Sequence, residues 1–174
     1  MVFVFDDMEL DPALERTWRL CGGDRPPLSA FRARWQGSGM NVGDTARRTR
    51  TVRARDIELF TEITGDRNPL HYDPDAAQRS RFGGIIVQGG VTSGLLNAVV
   101  AEDLPGPGSV FLQVDWSFRA PVRPGDAITA EVEVLDVRAD KPIGRLRTTI
   151  TNQDGVVVLD GTALVYTDPT VGQG

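Results

Sequence analysis

The chain holds one cysteine and one histidine in 174 residues. A single cysteine, Cys21, excludes an intramolecular disulfide and any cysteine-cluster metal site. A single histidine, His71, excludes a two-histidine zinc site within one chain and confines imidazole chemistry to one address. Long apolar runs are missing as well. Runs such as those at 85–87 and 156–159 fall far short of the roughly 20 residues that a membrane span needs. There is no cationic surplus: 19 Lys and Arg stand against 24 Asp and Glu, for a formal charge of -5. A duplex-binding domain carries the opposite sign, so nucleic acid is not an expected partner. The first residues are acidic (Asp6, Asp7, Glu9) and precede no long apolar core, so no secretory signal is expected and a reducing cytoplasm is the expected compartment. What is present is 40% apolar and 25% charged residues, the balance of one ordered globular domain.

The first 45 residues differ from the rest. Gly37, Gly39 and Gly43 crowd near their end, Pro26-Pro27 interrupts any regular element, and Asp11-Pro12 can open a short helix through Trp18. Phe3, Phe5, Trp18, Phe31 and Trp35 argue for an extension that docks on the domain at 46–168, with 169–174 as a tail. Further along, Ile57, Phe60 and Ile63 predict a helix over 55–64, stopped by Gly65. Asp73-Pro74 starts a second helix that runs through Arg79, and 91–101 forms a third, apolar nearly all round and therefore buried. Strands follow. Val110, Leu112, Val114, Trp116 and Phe118 alternate strictly, and further strands are expected at 128–137, 143–151 and 156–166. The fold class is α+β, an antiparallel sheet wrapped round one long buried helix.

The chemistry-bearing residues cluster between two helix signals, where the chain reads as an irregular loop: Gly65-Asp66-Arg67-Asn68-Pro69-Leu70-His71-Tyr72-Asp73. Asp66 and His71 stand five apart across a proline turn, so both side chains can converge on one spot. A carboxylate beside an imidazole is a working acid–base pair. The plainer reading is that Asp66 caps a turn and His71 packs. The next segment, Phe82-Gly83-Gly84-Ile85-Ile86-Val87-Gln88-Gly89-Gly90, feeds the buried helix. Bare N–H groups at a helix start suit an oxygen that becomes negative, such as a thioester carbonyl turning enolate. Close backbone packing explains the glycines equally well.

Taken together these segments resemble the MaoC-like (R)-specific enoyl-CoA hydratases. The resemblance rests on Gly65-Asp66-x-Asn68-Pro69-x-His71-x-Asp73, on the glycine-rich entry to an apolar helix, and on Leu104-Pro105-Gly106-Pro107-Gly108. It rests also on Phe118-Arg119-Ala120-Pro121-Val122-x-Pro124-Gly125-Asp126, and covers roughly residues 43–167. It implies a hotdog fold and reversible addition of water across the 2,3-double bond of an acyl thioester, carried by coenzyme A or an acyl-carrier protein. Asp66 and His71 match that family's catalytic pair, Asn68 the residue that shapes the loop, and the Gly89 N–H the group that holds the thioester oxygen. Gln88 and Gly90 complete the substrate-binding set, and both depart from the family, which usually has His before the glycine and a bulky residue after it. Gly90 is thereby expected to widen or loosen the pocket. No metal or other cofactor is implied, and a homodimer or higher homo-oligomer is.

Two rivals stand beside the hydratase or dehydratase reading. One is a specialised relative that dehydrates, isomerises or cyclises a polyketide-type thioester. The other is a non-catalytic acyl-binding module, against which the matched pair Asp66 and His71 counts. A thioesterase is disfavoured by the whole Gly-Asp-x-Asn-Pro-x-His run. Cys21 reads as a bland thiol. Thr92 and Ser93 read as helix caps. Arg47, Arg48, Arg50, Arg53 and Arg55 read as a solvated face, with contact to a phosphorylated carrier as the functional alternative.

Overall fold

The computed structural model describes residues 40–171. The helix expected from Asp11 to Trp18, the N-terminal aromatic residues and Cys21 lie outside the described residues.

Five strands form one antiparallel sheet: β1 (Thr45–Thr51), β2 (Ser109–Phe118), β3 (Ala127–Val137), β4 (Ile143–Thr151) and β5 (Val157–Thr167). Their order across the sheet is β1-β3-β4-β5-β2. Between β1 and β2 the chain forms helices α1 (Ala54–Thr64), α2 (Pro69–Tyr72), α3 (Pro74–Arg79) and α4 (Gly89–Glu102). The sheet wraps α4. Period-two alternation places Ile128, Ala130, Val132 and Val134 of β3 and Leu146 and Ile150 of β4 on one face, all fully buried. Against them pack Leu96, Val99 and Val100 of α4. Each buried Leu, Ile or Val contributes about 1.5–3 kcal/mol, so this layer holds the fold. The expected architecture is the observed one.

Four local expectations change. β1 went unread because its sequence, TARRTRT, offers the core only Ala46; it is a polar edge strand, held by its register with β3 from Thr45↔Glu133 to Thr51↔Ala127. In β2 the strict alternation is broken between Phe111 and Gln113, where the register against β5 shifts by one. Phe111 and Trp116 consequently both pack on the core and meet edge to face at 5.6 Å, while Val110 is 54% exposed. On α1, Thr61 takes the buried place beside Ile57 and Ile63 faces outward. Finally, α4 starts at Gly89, so Thr92 lies within its first turn and is not its cap.

The arginine run is largely neutralised at home. Arg48 pairs with Asp103, Arg50 with Asp56 (2.7 Å) and Arg55 with Glu58 (2.6 Å). The Arg48 guanidinium holds the Asp103 carboxyl below the usual carboxylate range through their hydrogen bonds. These pairs favour the solvated-face reading over phosphate contact. No helix among the described residues is long and apolar enough to cross a membrane.

Candidate active site

The Asp66–His71 segment is shaped by side chains that bond to backbone. α1 ends because Gly65 adopts the left-handed conformation (φ 77°) that favours glycine, and its N–H closes on the Thr61 carbonyl at 2.8 Å. Asp66 N–H then donates to the Thr64 hydroxyl at 3.2 Å. The Asp66 Oδ1 accepts from Asn68 N–H at 3.0 Å, and Asn68 Oδ1 accepts from Leu70 N–H at 3.1 Å. Asn68 is thus the N-cap of α2, with Pro69 at its first position. The stretch read as an irregular loop contains one helical turn. That turn carries His71 back toward Asp66.

His71 Nε2 lies 3.7 Å from Asp66 Oδ2. On the other side of the ring, Nδ1 is 2.8 Å from the Ile86 carbonyl oxygen. A carbonyl only accepts, so Nδ1 carries the hydrogen and a neutral ring presents its bare lone pair at Nε2. The His71 side chain is 9% exposed and that of Asp66 39%, so one face of the pair is open. The carboxylate Oδ2 and the imidazole Nε2 are therefore two acceptors side by side, too far apart to bond each other and spaced to share a donor of two hydrogens.

Ile86 also donates its N–H to the Leu70 carbonyl at 3.2 Å, so the segment leading to α4 is stitched to α2. Arg123 fastens the same segment by donating to the carbonyls of Ile85 (3.2 Å) and Phe82. Gly89 and Gly90 are the first two residues of α4, and their N–H groups find no intrahelical acceptor. A Cβ on Gly89 would stand 3.1 Å from the Phe118 ring, so the glycine permits a close approach.

Two of the expected substrate contacts take other roles. Gln88 is 2% exposed and turns its amide nitrogen inward, to the Thr61 hydroxyl (3.1 Å) and the Ile57 carbonyl (3.4 Å) of α1. Gly90 does not open the pocket: a Cβ there would fall 2.2 Å from Cζ of Phe60, whose ring already fills that space. Sequence reasoning missed Thr61, Tyr72 and Arg123, which support the site without facing it. The usable signal was Thr61, a hydroxyl four residues after Ile57 on the inward stripe of α1.

Residues 39–155 match the family described as MaoC like domain. The chain is 43% identical over 126 residues to a 3-hydroxybutyryl-CoA dehydratase of Methylorubrum extorquens, covering 72% of this chain and 80% of that one. The chain belongs to the MaoC-like family. An (R)-specific enoyl-CoA hydratase of Aeromonas caviae is 40% identical over 126 residues, covering 72% of this chain and 94% of that one. The solved structure of an (R)-hydratase from A. caviae superposes with a TM-score of 0.71 at 38% identity, covering 75% of this chain and 98% of that one. The MaoC-like chain accordingly has the hotdog fold, its sheet wrapped on α4.

Proposed function

We propose that this MaoC-like protein catalyses the reversible addition of water across the 2,3-double bond of an enoyl-CoA, with Asp66 and His71 as its acid–base pair. The observation that carries the reading is the pair of acceptors, Asp66 Oδ2 and His71 Nε2, set 3.7 Å apart with Nδ1 committed to the Ile86 carbonyl. A water that donates one hydrogen to each is left with an oxygen lone pair to aim at C3. As that oxygen bonds to C3, one water proton passes to the pair and the double-bond electrons move toward C2 and the thioester carbonyl. A proton then reaches C2 from the pair, so one water is added in full; elimination is the same path reversed. The N–H of Gly89, first in α4, supports the carbonyl oxygen while it carries charge. Relatives named for CoA substrates are 43% and 40% identical and those named for acyl-carrier-protein substrates 33% and 31%, which favours coenzyme A as the carrier.

The assay is loss of the conjugated enoyl absorbance of crotonyl-CoA on adding the protein. Turnover supports the reading, and its absence with both crotonyl-CoA and a longer enoyl-CoA would overturn it.

The protein acts as a homodimer in this reading, in a cytoplasm where one cysteine has no disulfide to form. β2 ends the sheet with an open edge, and Val110, Val114 and Phe118 along it are 54%, 43% and 56% exposed. Two-fold pairing covers both the edge and these side chains. Light scattering then gives at least twice the 18.9 kDa chain mass, and a monomer at micromolar concentration contradicts it.

A further inference from the structure

Behind the acid–base pair lies a buried polar cluster that the hydration chemistry does not itself use. Thr61 is 6% exposed and its single hydroxyl meets three groups: the Asp66 carbonyl at 2.6 Å, the Gln88 amide nitrogen at 3.1 Å, and the Tyr72 hydroxyl. The directions of these bonds follow from chemistry alone. A carbonyl only accepts and an amide NH2 only donates, so the one Thr61 hydrogen goes to Asp66, and Thr61 accepts from Gln88 and from Tyr72. The single Tyr72 hydrogen is shared, since the hydroxyl also donates to the Ile57 carbonyl at 3.3 Å, which accepts from the Gln88 amide at 3.4 Å as well.

The three partners come from three segments. Asp66 leads the loop, Tyr72 is the residue after His71 on α2, and Gln88 is the residue before Gly89 at the start of α4. One side chain on α1 therefore ties together the backbone of the carboxylate, the helix that carries the imidazole, and the segment that presents the first N–H groups of α4. The Asp66 carboxylate has its own restraint in Asn68 N–H on Oδ1, which turns Oδ2 to His71 only while the Asp66 backbone stays in place. The Thr61 bond to the Asp66 carbonyl supplies that condition. Gln88 Oε1, by contrast, is buried without a partner among the described residues, so the amide is oriented by what its nitrogen reaches on α1.

We propose that Thr61, braced by Gln88 and Tyr72, is a positioning residue that sets the separation of Asp66 and His71. The proposal rests on the hydratase reading for its kinetic readout but not for its spectroscopic one. It is tested with Thr61→Val, which keeps the shape and removes the hydroxyl, with Thr61→Ser, which restores it, and with Tyr72→Phe, which deletes one hydroxyl from a half-exposed side chain.

Thr61→Val is expected to lower kcat for crotonyl-CoA by about 10- to 100-fold, the scale at which small misplacements of reacting groups act. Its KM is expected to stay within about twofold, because no substrate contact is removed. Thr61→Ser should recover kcat to within about threefold of wild type, and Tyr72→Phe should lose about three- to tenfold, since a hydroxyl is restored in one and a single brace lost in the other. His71 is the only histidine, so its ring nitrogens give one unambiguous pair of 15N resonances at fixed pH. In Thr61→Val these should move in the direction that Asp66→Asn moves them, and in Thr61→Ser they should not. Wild-type kcat and an unmoved imidazole spectrum in Thr61→Val, or in Tyr72→Phe if the first variant does not fold, overturn the positioning role. A wild-type protein with no turnover overturns the hydratase reading instead, and the imidazole spectra still decide whether Thr61 places the carboxylate.

Discussion

The wrapped sheet and the helical stretch from α1 to the start of α4 are built by different means. In the sheet, position is fixed by apolar burial and ladder register: Ile128, Val132, Leu146, Ile150 and Leu159 are fully buried, and among the described residues no titratable side chain is buried. In the helical stretch, position is fixed by side chains bonding to nearby backbone. Asp56, Thr61, Thr64, Asp66, Asn68, Asp73 and Ser80 all do so. Apolar packing is non-directional and tolerates small shifts, whereas these bonds specify angles and distances. The molecule places Asp66 and His71 where geometry is directional, and places most of its apolar burial elsewhere.

The sharpest way to break that comparison is to change the pair. Asp66→Asn or His71→Ala is expected to lower kcat for enoyl-CoA hydration by about 10²- to 10⁴-fold, the range for removal of an acid–base group. The thermal midpoint should barely change in Asp66→Asn, whose side chain is partly exposed, whereas His71→Ala, which leaves the Ile86 carbonyl without its donor, should lose about 1–3 kcal/mol while staying folded. Circular dichroism melting beside the crotonyl-CoA assay separates the two effects. Unchanged turnover would remove the site assignment, and a collapsed fold would show that the helical stretch also carries stability.

The converse change is Leu146→Ala in β4. This side chain is fully buried opposite α4, so truncation should cost about 2–5 kcal/mol of unfolding free energy. Chemical denaturation measures it. Turnover per folded molecule is expected to stay near wild type, since Leu146 lies on β4 in the apolar core, outside the helical stretch that carries the pair. A large loss of kcat at full folding would mean that the sheet sets the site geometry directly.

The same division explains what was legible in the sequence. β3 and β4 announce themselves through alternation, and α4 through its apolar composition, because burial is what the sequence pattern records. β1 escaped because an edge strand of Thr and Arg carries almost no apolar signal. The shift in β2 escaped because a bulge reverses facing without changing composition. At the site, Asp66, Asn68 and His71 stood out by type and spacing. Thr61 and the Ile86 carbonyl did not: one is an ordinary hydroxyl within a helix, and the other is a backbone group that any residue would supply.

Gly90 sharpens the comparison at the seam between the two regions. Missing volume at a helix start reads as space for substrate, and that reading predicts that filling it lowers activity on large acyl groups selectively. The structure puts the Phe60 ring there, with Cζ 2.2 Å and Cε2 2.4 Å from where a Cβ would stand. Gly90→Ala must therefore push that ring aside. Helix propensity favours alanine over glycine by up to about 1 kcal/mol, but forcing a methyl into filled space costs about 1–3 kcal/mol. Overpacking wins, and the variant should lose about 1–2 kcal/mol of stability on balance. Phe60→Leu withdraws the ring tip, so in that background Gly90→Ala should cost less, with a coupling of about 0.5–2 kcal/mol between the two positions. Denaturant midpoints of the four proteins in this cycle give the coupling. The ratio of kcat/KM for crotonyl-CoA and a longer enoyl-CoA should stay unchanged through all four, because the methyl meets Phe60 before any substrate. Additive stabilities together with a selective loss on the longer substrate would return position 90 to the pocket wall.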